Sequence, residues 1–267
     1  MDILQAIILA LVQGITEFLP ISSSGHLILA SNLLGWSDQG LAFDVAVHFG
    51  SLVAVIVFFR KDLTRLATSW LASIFKRRMS RDSDLAWQLL IVTLPASVCA
   101  WVFSDYIEMH LRSLCVVASA TIFFGLLLGL ADISGNTDGA LERMSWRDSL
   151  LVGCAQICAL VPGASRSGVT MAAALALGYS RDASARFSFL MAIPIIFLSG
   201  IYKTTHLFGG EIHLVSILIG VVVSAISAYF CIGVFLRFIK RVGMIPFVIY
   251  RLILGSALLL IGMTQLT

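Results

Sequence analysis

Pro20-Ile21-Ser22-Ser23-Ser24-Gly25 breaks an apolar stretch that otherwise runs from residue 2 to residue 35. Pro162-Gly163-Ala164-Ser165-Arg166-Ser167-Gly168 breaks a second, from 149 to 178. Clusters of proline, serine and glycine punctuate helices, so each stretch reads as two short helices joined by a turn. The pieces after the breaks, 25–35 and 168–178, are each about 11 residues long, roughly 16 Å of helix or half a bilayer. They are expected to form re-entrant helix–loop–helix hairpins that enter and leave on one side. The piece 2–18 is also long enough to be read as a span.

The rest of the chain sets these breaks in a membrane. Of 267 residues, 59% are apolar and 12% charged, and the mean hydropathy is +0.97. A soluble domain is roughly 45–50% apolar and about 25% charged. Too little polar surface remains to coat a water-soluble globule, which excludes soluble, disordered, fibrous and nucleic-acid-binding classes. Six unbroken apolar segments are long enough to span: 41–59, 85–103, 113–131, 184–206, 212–236 and 245–264. Their length argues against a barrel, whose strands alternate over about ten residues. The expected fold is all-α: a polytopic helical membrane protein with six spanning helices and two hairpins in one domain, 1–267. The start Met1-Asp2-Ile3-Leu4 has no basic region and no small-residue cleavage site, so the first apolar segment is expected to stay in the mature protein. The five cysteines sit in apolar stretches without a CxxC pair and read as small buried hydrophobes.

Lys and Arg orient the spans. The 60–81 loop carries Arg60, Lys61, Arg65, Lys76, Arg77, Arg78 and Arg81, and the 237–241 loop carries Arg237, Lys240 and Arg241. Both are expected on the cytoplasmic side. The span count then puts both termini outside and makes the two broken stretches dip in from opposite faces. A shift of 143 residues places Gln13 on Gln156, Ser22 on Ser165, Ser24 on Ser167 and Gly25 on Gly168. Each half, approximately 1–132 and 148–267, is one broken hairpin and three spans. An odd number of spans per half makes the repeats inverted.

The breaks hold the chemistry. Irregular backbone at membrane depth persists only when buried in protein or lining a wet cavity. In each break a serine-rich turn and a glycine precede a helix N-terminus, whose free N–H groups favour an anion. This points to Ser22, Ser24, Gly25, Ser165, Ser167 and Gly168 as binding residues. Arg166 adds a forked cation suited to phosphate. Glu17 would repel an anion unless it holds a cation or handles a proton, and Gln13, four residues earlier, shares its helix face. Ser23 and His26 are three apart at the start of the next helix, with the imidazole in reach of the hydroxyl. Together, Glu17, Ser23, His26 and Arg166 are the parts of a phosphoryl-transfer site in which either the serine or the histidine attacks.

Other polar residues have plainer readings. His48 is read as a satisfied structural histidine. His110, His206 and His213 lie near outer loops and are expected to be solvated. Arg186 and Arg251 sit within one or two turns of cytoplasmic span ends, where snorkelling explains them. Lys203 is read the same way at an outer end, with phosphate steering as the alternative. Asp44 is a helix-start charge.

The run Gln13-Gly14-Ile15-Thr16-Glu17-Phe18-Leu19-Pro20-Ile21-Ser22-Ser23-Ser24-Gly25-His26 and the second break, 162–168, closely resemble the two signature motifs of the undecaprenyl-diphosphate phosphatase family, the bacitracin-resistance-type enzymes of the bacterial inner membrane. The segments 186–194 and 245–251 also look like that family. The resemblance implies hydrolysis of undecaprenyl diphosphate to the monophosphate, which recycles a lipid carrier for cell-wall synthesis. It implies a pocket open to the periplasm and a divalent cation, Mg²⁺ or Ca²⁺, with Glu17 as a ligand. By the same resemblance Ser23 is the favoured nucleophile, His26 its proton partner and Arg166 the phosphate clamp. Gln13 stands where many members carry Glu, which weakens the case for a two-carboxylate metal site. The partners implied are the diphosphate lipid and the bilayer, with no nucleic acid, for a monomer or a homodimer. From another class, a secondary transporter or lipid-phosphate flippase would use the same broken-helix architecture.

Overall fold

The computed structural model describes residues 2–23, 25–27, 36, 40–135, 138–204 and 214–264. Among these the chain is helical: α1 (Ile3–Thr16), α2 (Leu41–Phe58), α3 (Arg60–Phe75), α4 (Arg81–Ile91), α5 (Leu94–Val102), α6 (Ser104–His110), α7 (Leu114–Ser134), α8 (Trp146–Ala155), α9 (Arg166–Ala176), α10 (Arg181–Thr204), α11 (Leu214–Val242) and α12 (Ile245–Thr264). Six units are long and apolar enough to cross a membrane: α2, α4 with α5, α7, α10, α11 and α12. These are the six segments expected from hydropathy. The second is divided at Val92-Thr93, just ahead of Pro95.

The remaining apolar helices are shorter. α1 has 14 residues, α8 has 10 and α9 has 11. At 1.5 Å per residue none reaches much beyond roughly 21 Å, short of a hydrocarbon core about 30 Å thick. The reading of 2–18 as a full span is therefore set aside. Helix α1 ends at Thr16, and the chain stays irregular to Ser22.

Packing follows the placement of small residues. Helix α2 lies against α10 and α11, α1 against α11, and α7 against α9 and α12. A Cβ on Gly14 would collide with Ser227 and the Ser224 carbonyl, and one on Gly50 with the Val221 carbonyl. Their absence lets α1 and α2 approach α11 closely, as in membrane bundles generally. Ser51 and Ser224 then hydrogen-bond at 2.9 Å, and Ser224 donates to the Val47 carbonyl at 2.6 Å. The cysteines do not all fit the expected burial: Cys154 and Cys158 are exposed on the bundle surface.

One end of the bundle is tied by charge. Arg181 grips Asp132 through Nε at 2.6 Å and Nη2 at 3.1 Å, and the Met244 N–H donates to the same carboxylate at 3.0 Å. This joins the end of α7 to the starts of α10 and α12. Lys240 and Arg186 both reach Asp182, and Arg65 reaches Asp82. The basic loops therefore share one end. Arg186 sits half-exposed in this network rather than snorkelling alone. At the opposite end the Tyr202 hydroxyl donates to Ser104 at 3.3 Å.

Asp132→Ala strands the Arg181 guanidinium and the Met244 N–H, a loss of about 3 kcal/mol for a partner of a buried ion pair. A clear fall in the thermal unfolding midpoint in detergent is expected. Asp82→Ala, in a more exposed pair, should cost about 1 kcal/mol or less.

Candidate active site

The two breaks meet. The Ser167 hydroxyl donates to the Leu19 carbonyl at 2.8 Å, and Arg166 Nη2 donates to Glu17 Oε1 at 3.4 Å. The local geometries of the two turns match. Ser22 has φ 73° and Ser165 has φ 68°, left-handed values that strain a residue with a side chain. In each turn the serine oxygen accepts a backbone N–H three residues on, from Gly25 at 3.4 Å and from Gly168 at 3.3 Å. The serine thus caps the helix that follows its own strained backbone.

Glu17 sits at the centre with a side chain only 9% exposed. Gln13 Nε2 donates to its Oε2 at 2.9 Å, and the Ser23 hydroxyl donates to the same oxygen at 3.2 Å. Arg166 takes the other oxygen, and its second Nη donates to the Ser188 carbonyl at 3.1 Å. The guanidinium also lies 6.0 Å from the centre of the buried Phe18 ring, a cation–π position. The result is a carboxylate flanked by a hydroxyl and a fixed fork.

These groups line a cavity of about 250 Å³ whose wall includes Glu17, Ser22, Ser23, His48, Ser165, Arg166 and Lys203. It runs along α10 from Ile195 to Lys203, toward the bundle end opposite the basic loops. Beside it lies an apolar groove of about 630 Å³ between α2, α10 and α11.

The expected site residues divide accordingly. Gln13, Glu17, Ser22, Ser23, Ser165 and Arg166 are brought together. Ser167 and Gly168 brace the loops rather than line the cavity, and Gly25 serves its turn. Ser24 lies outside the described residues, as do His206 and His213. His26 is not paired with Ser23. Its Nδ1 lies 2.7 Å from the Ser22 carbonyl and its Nε2 2.6 Å from the Tyr250 hydroxyl, with the two rings stacked. Both ring nitrogens are taken, so the hydroxyl of Ser23 turns to Glu17 instead.

Three residues differ from their plain readings. His48 is held through Nδ1–H by the Asp44 carbonyl at 2.7 Å, and its Nε2 faces the cavity 3.8 Å from Glu17. Lys203 lines the cavity wall. Arg251 does not snorkel: it is fully buried, with no ion pair among the described residues. Its Nε donates to Thr121 O at 3.0 Å, Nη1 to Pro20 O at 3.3 Å, and Nη2 to Gly163 O at 3.1 Å and Ala164 O at 2.9 Å. One side chain thus satisfies carbonyls of both breaks. The only sequence signal was an arginine inside an apolar span, and its nearness to the span end supplied a simpler reason.

Oxygen donors for a hard cation are present but few. Among the described residues Glu17 is the one carboxylate lining the cavity, and the buried Oε1 of Gln13 beside it has no hydrogen-bond partner. No cluster of three His, Cys, Asp or Glu occurs among the described residues. The set fits a cation such as Mg²⁺ that takes one or two protein oxygens and completes its shell with phosphate and water.

Arg251→Met removes the donors while keeping an unbranched apolar stem. It should cost about 3 kcal/mol or more, read as a lowered unfolding midpoint. Arg251→Lys, with a point charge in place of the fork, should fall between it and the parent.

The bacitracin resistance protein BacA family model matches residues 6–257. The chain is 53% identical over 266 residues to "Undecaprenyl-diphosphatase 2" of Stutzerimonas stutzeri, covering 98% of each chain. It is 52% identical over 261 residues to "Undecaprenyl-diphosphatase" of Aliivibrio salmonicida and 51% identical over 262 residues to "Undecaprenyl-diphosphatase 1" of Pseudoalteromonas translucida, in both cases covering 97% of this chain and 98% of the relative. With the paired breaks, the buried Glu17–Arg166 contact and matches of this extent, the chain belongs to the bacitracin resistance protein BacA family.

Proposed function

We propose that the chain is an integral-membrane phosphatase that hydrolyses undecaprenyl diphosphate to undecaprenyl phosphate and inorganic phosphate. One observation carries this: the Ser23 hydroxyl and the Arg166 guanidinium are both bound to Glu17 in a polar cavity that adjoins an apolar groove. The cavity suits a diphosphate and the groove an isoprenoid tail. The names of the relatives favour hydrolysis over transport.

The residues suggest the order of events. Arg166 and the N–H groups of the two turns hold the terminal phosphoryl oxygens. Ser23 Oγ attacks the terminal phosphorus, its proton passes to Glu17, and the bond to the bridging oxygen breaks to release the lipid monophosphate. Water then cleaves the phosphoserine, releasing phosphate and restoring the serine. Glu17 and Gln13 are the oxygens that would hold a divalent cation, which would offset phosphate charge. His26, locked between Ser22 and Tyr250, positions the turn.

The cavity extends away from the end that bears the basic loops, which supports a periplasmic mouth in the bacterial inner membrane. The matched Ser22 and Ser165 turns and the short helices α1, α8 and α9 beside the breaks support re-entrant hairpins related as an inverted repeat; most of the expected piece 25–35 lies outside the described residues.

The test is phosphate release by purified protein in detergent from farnesyl and undecaprenyl diphosphates, with and without Mg²⁺ or Ca²⁺. No release from either substrate under any condition overturns the assignment. Ser23→Ala should lower kcat by about a thousandfold or more with KM little changed, as for loss of a nucleophile. Arg166→Lys should stay severely impaired, because a point charge lacks the fork. Gln13→Glu, which adds a second carboxylate, should lower the Mg²⁺ concentration giving half-maximal activity by about tenfold; an unchanged Mg²⁺ titration would place the cation elsewhere.

A further inference from the structure

The polar cavity and the apolar groove share four wall residues: Val45 and His48 on α2, Ile196 and Gly200 on α10. Along α10, Ile195, Ser199 and Lys203 face only the cavity, and Phe197, Ile201 and Thr204 only the groove. Gly200 is the position where the two stripes meet without a side chain between them.

Nothing local calls for glycine there. Gly200 lies inside α10 and its backbone is not left-handed, so no turn requires it. A Cβ built on it meets no atom of the described residues within 4 Å, whereas one on Gly220 would press on Phe43 at 2.8 Å and one on Gly129 on Val248 at 3.3 Å. Glycine is also among the weakest helix formers. What its missing side chain leaves is open space at the junction of the two chambers.

We propose that Gly200 is the doorway between them and a specificity determinant for tail length. This rests on the phosphatase assignment. The diphosphate lies in the cavity, the isoprenoid tail lies in the groove, and the chain of the same molecule passes over Gly200. Apart from His48 and Thr204 the groove wall is apolar, which suits a hydrocarbon tail. A short tail ends before the groove and does not depend on the doorway.

The experiment compares geranyl diphosphate with undecaprenyl diphosphate in detergent, using the parent, Gly200→Ala and Gly200→Phe. Gly200→Ala, which adds only a methyl group, should raise the unfolding midpoint. Gly200→Phe should lower kcat/KM for undecaprenyl diphosphate at least about thirtyfold and that for geranyl diphosphate by no more than about threefold. A second measurement does not depend on the folding of a bulky variant. Gly200→Cys in a background with the five native cysteines replaced is modified with alkyl methanethiosulfonates of increasing size, and long-tail activity should fall stepwise while short-tail activity holds. Equal losses for both substrates, or none for either, overturn the doorway. Failure of the parent on both substrates would instead overturn the phosphatase assignment.

Discussion

A peptide group at membrane depth has no water to bond, so each carbonyl freed where a helix breaks must find a donor inside the protein. This chain breaks two helices and brings the breaks face to face. Arg251 meets that demand from the side, giving hydrogen bonds to Pro20, Gly163, Ala164 and Thr121 from one buried guanidinium. Burial of an unpaired charge is costly, and bonds to several carbonyl dipoles offset it. The preceding residue, Tyr250, fixes His26 in the same turn of α12. The register between the two loops, and hence the meeting of Glu17 with Arg166, follows from this strap.

With the loops fixed, the electrostatics of the site become simple. Glu17 comes from one half of the chain and Arg166 from the other, and each is neutralised by the other in a setting with little water. Interactions there are stronger than at a surface. The floor beneath is dry, since Phe18 and Phe189 are fully buried and pack edge to face at 5.3 Å. In the proposed reaction a phosphate bound at Arg166 would draw the guanidinium away from Glu17 and free the carboxylate for the Ser23 proton.

Hydropathy made the six spans legible, because length and apolar content are all that crossing a bilayer requires. The breaks were legible for the converse reason: proline, glycine and serine clustered together interrupt a helix, whereas scattered singly they serve packing. Glu17, Ser23 and Arg166 could be singled out because charges and a hydroxyl clustered at such a place need a cause. What was not legible depended on helix rotation. Arg251 and His48 lie near span ends where solvent is close by, and only the packing shows that one turns inward to both loops and the other toward Glu17. The pairing of His26 with Tyr250 joins residues 224 positions apart, beyond any local spacing rule. A helical spacing of three placed His26 near Ser23, but bonds to the Ser22 carbonyl and the Tyr250 hydroxyl hold the imidazole elsewhere.

The most direct test is a double-mutant cycle on Glu17→Gln and Arg166→Gln, read as kcat/KM for phosphate release from farnesyl diphosphate. Residues in contact within one charge network should couple by more than about 1 kcal/mol, so that the double variant is far less impaired than the two single losses combined. Strict additivity would show that the two breaks do not share a site.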